Sequence, residues 1–133
     1  MAITQAMCNS FKLLALDATK TYKIALFTSA VTLSKATTAY STTNEVVGTG
    51  YTAGGKTISA TSVLDGDVAI MDFPDTTWTT ATITARGAMI YESAAGNPAV
   101  AVYDFGSDKT STASDFVVEF PAAAAATAVV RIA

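Results

Sequence analysis

The hydrophobic pattern changes at Tyr22, and this change constrains the fold more than any other feature of the sequence. From Tyr22 onward, short runs rich in Val, Ile, Thr, Tyr and Phe are separated by Gly, Asp, Asn, Ser and Pro at intervals of roughly ten residues. Runs of this kind are typical of antiparallel sheets packed face to face. The sequence therefore predicts an all-β fold, an antiparallel β-sandwich that is jelly-roll-like or immunoglobulin-like.

The predicted strands follow from these apolar and β-branched runs. They are Tyr22–Thr28, Glu45–Gly48, Thr57–Val63, Val68–Phe73, Thr82–Glu92, Val100–Phe105, Phe116–Phe120 and Ala128–Ile132. The Asp65-Gly66 pair suits a tight hairpin because both residue types tolerate positive φ. The turn 95–98 contains Gly96, Asn97 and Pro98 and predicts a second hairpin.

Before the strands, one segment has helical spacing. Ile3, Met7, Phe11 and Leu14 recur at intervals of four, four and three, which predicts one short α-helix from Ile3 to Leu16. A helix of this length is marginal alone, so its apolar face is expected to dock. The partner is either its own sandwich or a neighbouring subunit.

Length and composition predict one domain that assembles with other proteins. A chain of 133 residues fits a single core, here a β-sandwich spanning 1–133 with 1–18 as an N-terminal helical arm. Half of the residues are hydrophobic and 14% are charged. A surface with so few charges is poorly suited to a freely diffusing monomer, so we expect a homo-oligomer, with a trimer as one possibility.

Charge and hydropathy exclude two classes of partner. The formal net charge is -3 and the eight basic residues are scattered, which argues against nucleic-acid binding. No stretch approaches the roughly 20 apolar residues that span a bilayer, and the N-terminus does not resemble a signal peptide. We expect folding in the cytoplasm and no membrane partner. Cys8 is the single cysteine, so no intrachain disulfide can form, and a buried thiol is expected.

The sequence offers little for catalysis. It contains no histidine, which excludes Ser-His-Asp and Cys-His catalysis and removes the commonest metal ligand. We therefore expect no enzymatic activity and no cofactor. Asp65, Asp67, Asp72 and Asp75 lie close together and could offer oxygen ligands to Ca²⁺, but a solvated hairpin turn is the favoured interpretation.

Two aromatic residues and the helix supply candidate interface positions. Tyr51 lies in the segment 48–55, which holds half of the chain's glycines and is expected to form a flexible bulged loop. Trp78 follows a proline-containing turn, where it would cap the core or anchor a partner. The candidate interface residues are Ile3, Met7, Phe11, Leu14, Tyr51 and Trp78.

Several segments of the sequence are similar to those of a known protein family. They are YKIALFTS at 22–29, TAYSTTNEVVGTGYTAGG at 38–55, Trp78, ITARGAMIY at 83–91 and VYDFGSDK at 102–109. In these segments the chain resembles a widespread family of small virion proteins of tailed bacteriophages. The resemblance implies a non-enzymatic structural protein located in the virion after synthesis in the host cytoplasm. The resemblance identifies no residue with a chemical role.

Among virion roles, capsid decoration is the leading hypothesis. Decoration (cement) proteins are often small β-sandwiches, and such a domain with an amphipathic arm could bind the major capsid protein across a capsomer junction. A tail, neck or fibre component is the first alternative, in which the helix or the Gly50-Tyr51 loop would trimerise. A glycan-binding module is the second, and its aromatic platform would consist of Trp78, Tyr40, Tyr51, Tyr91 and Tyr103.

Overall fold

The computed structural model describes residues 2–121, 123–128 and 130–133. Within them the chain forms one helix followed by seven strands. In chain order these are α1 (Asn9–Ala15), β1 (Tyr22–Phe27), β2 (Lys56–Ile58), β3 (Thr61–Asp65), β4 (Val68–Asp72), β5 (Thr76–Glu92), β6 (Ala99–Val118) and β7 (Val130–Ile132).

The strands form two antiparallel sheets. One has four strands in the order β2-β1-β5-β6, and the other has three in the order β3-β4-β7. A main core of apolar side chains lies between them, with Ile24 and Leu26 of β1 and Ile83 and Ile90 of β5 almost fully buried. The predicted all-β, sandwich-like fold with one short helix is confirmed.

The long connection between β1 and β2 covers the other face of the four-stranded sheet. Because successive strand residues point to opposite faces, Ala25 and Phe27 of β1 lie away from the main core. They form a second cluster with Met89 and Tyr91 of β5. Val31, Leu33 and Tyr40 of the connection pack against this cluster. Both faces of β1 are therefore buried, which explains its continuous apolar sequence.

Both predicted hairpins are present. Asp65 pairs with Val68 across the β3–β4 turn, where Gly66 has a φ of 60°. The β5–β6 turn includes Gly96 and Asn97, which have φ values of 78° and 41°. These turns were predictable because the residues that tolerate positive φ are few.

Three of the predicted strands before β6 differ from the structure. Glu45–Gly48 is not a strand; only Glu45 forms an isolated bridge, with Phe27, because the chain bends at Asn44, where φ is 61°. Thr57–Val63 divides into β2 and β3, which belong to different sheets. β5 begins at Thr76, earlier than predicted.

β6 joins two predicted strands through a polar stretch. Val100–Phe105 and part of Phe116–Phe120 lie in one strand of 20 residues. The intervening residues are mostly exposed, but they pair with β5, as in Thr84 with Thr110. Pairing with β5, rather than local hydrophobicity, therefore determines that this polar stretch is a strand. At the C-terminus, β7 is shorter than the predicted Ala128–Ile132, and Val129 lies outside the described residues.

The helix is shorter than predicted and docks through a different face. It begins at Asn9, because Cys8 is extended with φ -69° and ψ 138°, and residues 2–8 form no helix. Lys12 and Leu16 are buried and Leu13 packs against the main core. The predicted docking face of Ile3, Met7, Phe11 and Leu14 is exposed. Among the described residues, no helix is long and apolar enough to cross a membrane.

Candidate functional site

Among the described residues, the segment 2–14 presents the largest concentration of exposed large apolar side chains. Residues 2–8, which we call the N-terminal arm, carry Ile3 and Met7, 85% and 52% exposed. Phe11 and Leu14 of α1 are 58% and 75% exposed. Large apolar side chains clustered on a surface mark contact sites more often than isolated ones do.

The position at which the arm leaves the domain is fixed by hydrogen bonds from α1. Lys12 Nζ donates to the Asp67 main-chain oxygen at 2.7 Å, and Asn9 Nδ2 donates to Asp67 Oδ1 at 3.1 Å. Asp67 lies in the β3–β4 turn, so the helix is held against this turn. Lys12 is the only charged side chain between Ala2 and Leu14, and it is buried in this contact, which leaves the exposed surface of the segment without side-chain charge.

Three of the four aspartates of the suggested cation site make separate structural contacts. Asp65 Oδ2 accepts a hydrogen bond from Ala125 N at 2.7 Å, and Asp75 Oδ1 accepts one from Phe120 N at 2.9 Å. Both bonds hold the segment that leads to β7. In the part of the chain that the structure describes, no group of three acidic or cysteine side chains could hold a metal ion. Asp65, Asp67 and Asp75 therefore act as hydrogen-bond acceptors within the fold.

The glycine-rich loop is organised by a buried carboxylate, Glu45, which was not among the predicted site residues. Glu45 Oε1 accepts a hydrogen bond from Tyr40 Oη, while Oε2 accepts bonds from Tyr51 Oη at 2.6 Å and Gly54 N at 2.8 Å. Tyr91 Oη donates to the Gly54 main-chain oxygen at 2.6 Å. We call Glu45, Tyr40, Tyr51, Gly54 and Tyr91 the glutamate network. It fixes the loop.

The glycines of this loop lie against strand backbone. A Cβ on Gly48 would come within 2.2 Å of Thr82 O, and one on Gly55 within 1.7 Å of Ile24 O. The interpretation of the segment as a flexible loop was therefore wrong. Its glycines are required because the main chain packs closely against β1 and β5.

The environment of the network keeps its hydroxyl groups protonated. Burial raises the pKa of Tyr51 and Tyr40 well above the usual value, and the hydrogen bond to Glu45 raises each further. Burial also raises the pKa of Tyr91. The three hydroxyls therefore act as donors, two to the carboxylate and one to the loop main chain.

Trp78 and Tyr51 lie together inside the fold. Trp78 is 1% exposed, and its ring packs against Tyr51 and Phe116 at centroid distances of 5.9 and 6.3 Å. Tyr51 is half-buried, and its hydroxyl accepts a hydrogen bond from Leu26 N as well. Neither residue is placed as a partner-facing anchor; Trp78 belongs to the core. Cys8, expected to be buried, is exposed because the arm does not pack on the sandwich.

The aromatics proposed for glycan binding do not form an exposed platform. Tyr40 stacks on Tyr91 at 4.4 Å, and both belong to the glutamate network. Tyr91 and Trp78 are buried. Tyr103 packs edge-on against Phe120. These rings contact one another and the core, so they are not arranged to stack on a sugar.

A shallow cavity of about 350 Å³ lies between the β1–β2 connection and the β5–β6 pair. Its charged lining residues are Arg86 and Asp104, whose Nε and Oδ1 atoms are 3.1 Å apart. Hydrogen bonds from Gly106 N and Arg86 lower the pKa of Asp104. The two charges neutralise each other, and the cavity brings no catalytic pair together among the residues described.

The fold and these surfaces define a small β-sandwich protein with a fixed glycine-rich loop and an exposed, apolar N-terminal segment. No protein-family profile, curated protein or solved structure matches the chain.

Proposed function

We propose that this chain is a non-enzymatic structural protein of a tailed-phage virion, and specifically a capsid decoration protein that binds the major capsid protein. The observation that supports an assembly role is the exposed apolar segment containing Ile3, Met7, Phe11 and Leu14. The resemblance in segments 22–29, 38–55, 83–91 and 102–109 supports the place in a virion.

The polar and apolar side chains differ in whether they are free to contact a partner. Glu45, Asp65, Asp67 and Asp75 already accept hydrogen bonds within the chain. The N-terminal segment, residues 2–14, offers uncharged apolar surface. Burying this surface in a protein contact is favourable by roughly 25 cal/mol per Å². A shell presents identical sites in a fixed array, so many modest contacts of this kind produce firm attachment and stabilise the shell.

Adding the purified protein back to particles that lack it tests this proposal. The wild-type chain should co-sediment with the shells and raise the temperature at which they release their contents. The double variant Ile3→Asp, Met7→Asp should bind at least about tenfold more weakly, because two buried apolar contacts become buried charges. Val47→Asp is the matched control, since Val47 is 97% exposed but lies far along the chain from the N-terminal segment.

Two results would count against a decoration role. One is a wild-type chain that leaves shell stability unchanged. The other is attachment confined to the tail, neck or fibre, which would favour that alternative place in the virion.

A further inference from the structure

The side-chain hydrogen bonds that hold α1 to the sandwich converge on one turn. The helix has seven residues, no side-chain N-cap and no acidic residue in its first turn, so it is stable only while it is docked. It packs on β3 and β4. Among the described residues, its side-chain hydrogen bonds to the rest of the fold both end on Asp67, from Lys12 Nζ and from Asn9 Nδ2.

The apolar part of this docking surface is small, and a buried charge opposes it. Leu16 is buried and Leu13 is partly buried against the main core. Lys12 is 7% exposed, and no carboxylate of the described residues lies within ion-pairing distance of its Nζ. Of the three donors of the ammonium group, one has an acceptor there, a neutral main-chain oxygen. Docking therefore removes hydration from a charge without supplying a counter-charge, and undocking restores this hydration.

The chain immediately after α1 is fixed to the four-stranded sheet. Leu16 ends the helix with φ -97° and ψ 69°. The main-chain oxygen of Asp17 accepts a hydrogen bond from the hydroxyl of the buried Tyr22 of β1 at 2.6 Å. The Asp17 carboxylate accepts a further bond from Thr19 N at 2.9 Å. Because Asp17 is held to β1 and α1 is held at the β3–β4 turn, a movement of α1 has its hinge at Leu16.

We infer that the N-terminal arm and α1 form a latch, which opens as one unit about Leu16 while both sheets stay folded. On opening, the hydrogen bonds to Asp67 break and the Lys12 ammonium group becomes hydrated. Leu13 and Leu16 lose their contact with the core, and their apolar surface is added to that of the segment 2–14. The closed form is the structure described above, and the open form is a minor state of the same chain. The inference concerns the isolated chain and is independent of its place in a virion.

Native-state hydrogen exchange of the full chain, followed residue by residue at low urea concentrations, tests the inference. The Lys12 and Leu16 amides donate to Cys8 O and Lys12 O, so they are protected only while the latch is closed. They should exchange at least about tenfold faster than the amides of β1, and their rates should depend only weakly on urea, because local opening exposes little surface. The β1 amides should exchange through global unfolding, with a strong dependence on urea.

Asp67→Ala tests the turn as the point of attachment. The variant removes the acceptor of Asn9 Nδ2 and should speed exchange at Lys12 and Leu16 several-fold, while exchange in β1 stays unchanged. Asp108→Ala is the matched control, because it removes an exposed carboxylate from β6. It should leave both sets of amides unchanged.

Lys12→Met tests the buried charge. The variant keeps an unbranched apolar side chain in the contact with the core, but it has no ammonium group to hydrate. Exchange at Leu16 should therefore become several-fold slower than in the wild-type chain. A lysine that acts only by holding α1 to Asp67 predicts the opposite change, because its hydrogen bond is lost.

Three results would overturn the inference. The first is exchange of the Lys12 and Leu16 amides at the rate and urea dependence of β1, which would mean that α1 opens only with the whole domain. The second is exchange at Lys12 that is much faster than at Leu16, which would indicate fraying from the N-terminus instead of opening as one unit. The third is faster exchange at Leu16 in Lys12→Met.

Discussion

Glu45 is 7% exposed and accepts hydrogen bonds from two tyrosine hydroxyls and one main-chain amide. Removing the carboxylate leaves the partly buried hydroxyls of Tyr40 and Tyr51 without their acceptor. Glu45→Ala should therefore lower the free energy of unfolding by about 2–4 kcal/mol. Urea unfolding followed by the fluorescence of Trp78, the only tryptophan, measures this change.

Glu119→Ala is the matched control, because it removes the same charge from an exposed position. It should change the free energy of unfolding by less than about 0.5 kcal/mol. Equal effects of the two substitutions would contradict the organising role of Glu45.

The tyrosines make stability depend on alkaline pH. Burial raises the pKa of all five, Tyr22, Tyr40, Tyr51, Tyr91 and Tyr103, above the model-compound value of 10.0. Above pH 10 the unfolded chain loses protons that the folded chain retains, so the free energy of unfolding falls as pH rises. Below pH 10 the contribution of the protonated tyrosines to the free energy of unfolding is fully present.

Urea midpoints measured from pH 8 to about pH 11, together with phenolate absorbance, test the tyrosine prediction. The midpoint should fall above pH 10, and phenolate absorbance should appear together with loss of structure. Five tyrosines that titrate near pH 10 in the folded protein, without loss of stability, would contradict it.

At the scale of elements, the glycine-rich loop depends on close contact between backbones. Gly55 has a φ of 77°, and a Cβ there would lie 1.7 Å from Ile24 O in β1. Gly55→Ala should therefore reduce the free energy of unfolding by about 3 kcal/mol or more. Gly66 has a similar φ of 60° but no atom within 4 Å, so Gly66→Ala should cost only about 1 kcal/mol.

Urea unfolding of the two glycine variants separates steric contact from backbone conformation. If both variants were destabilised equally, the positive φ alone would explain why glycine is required at Gly55. The close approach of the loop to β1 would then have no energetic role.

Much of the element pattern could be predicted from local signals, and the exceptions have physical causes. The turns at Asp65-Gly66 and 95–98 are encoded by residues that tolerate positive φ. The polar middle of β6 could not be predicted, because its strand conformation depends on pairing with distant β5. The interval of four between Ile3 and Met7 suits a helix, but it also places two residues on one face of a strand.

The candidate site was predictable in part. Exposed apolar residues at Ile3, Met7, Phe11 and Leu14 could be found by their spacing, although the helix face that docks is the one containing Lys12. The organising role of Glu45 was not predicted, although the sequence contains an indication of it. Glu45 is a single charged residue directly before Val46-Val47, and it lies within six residues of both Tyr40 and Tyr51. The burial of Trp78 depends on how β5 and the glycine-rich loop meet in space.

At the scale of the whole molecule, the sandwich and the N-terminal segment have separate tasks. The two sheets, the β1–β2 connection and the glutamate network bury or partly bury every aromatic side chain except that of Phe11. The segment containing Ile3, Met7, Phe11 and Leu14 keeps its apolar surface outside. This division supports the assembly role that we propose.

We propose that many copies of this chain cover a viral shell, and the decisive measurement is the amount of the chain relative to the major shell protein in purified particles. For a decoration protein we expect between about one copy per three shell subunits and about one per subunit, because its sites are repeated across a symmetric shell. A ratio of only a few per cent would contradict decoration and favour the tail, neck or fibre. Absence of the chain from the particles would contradict a virion role altogether.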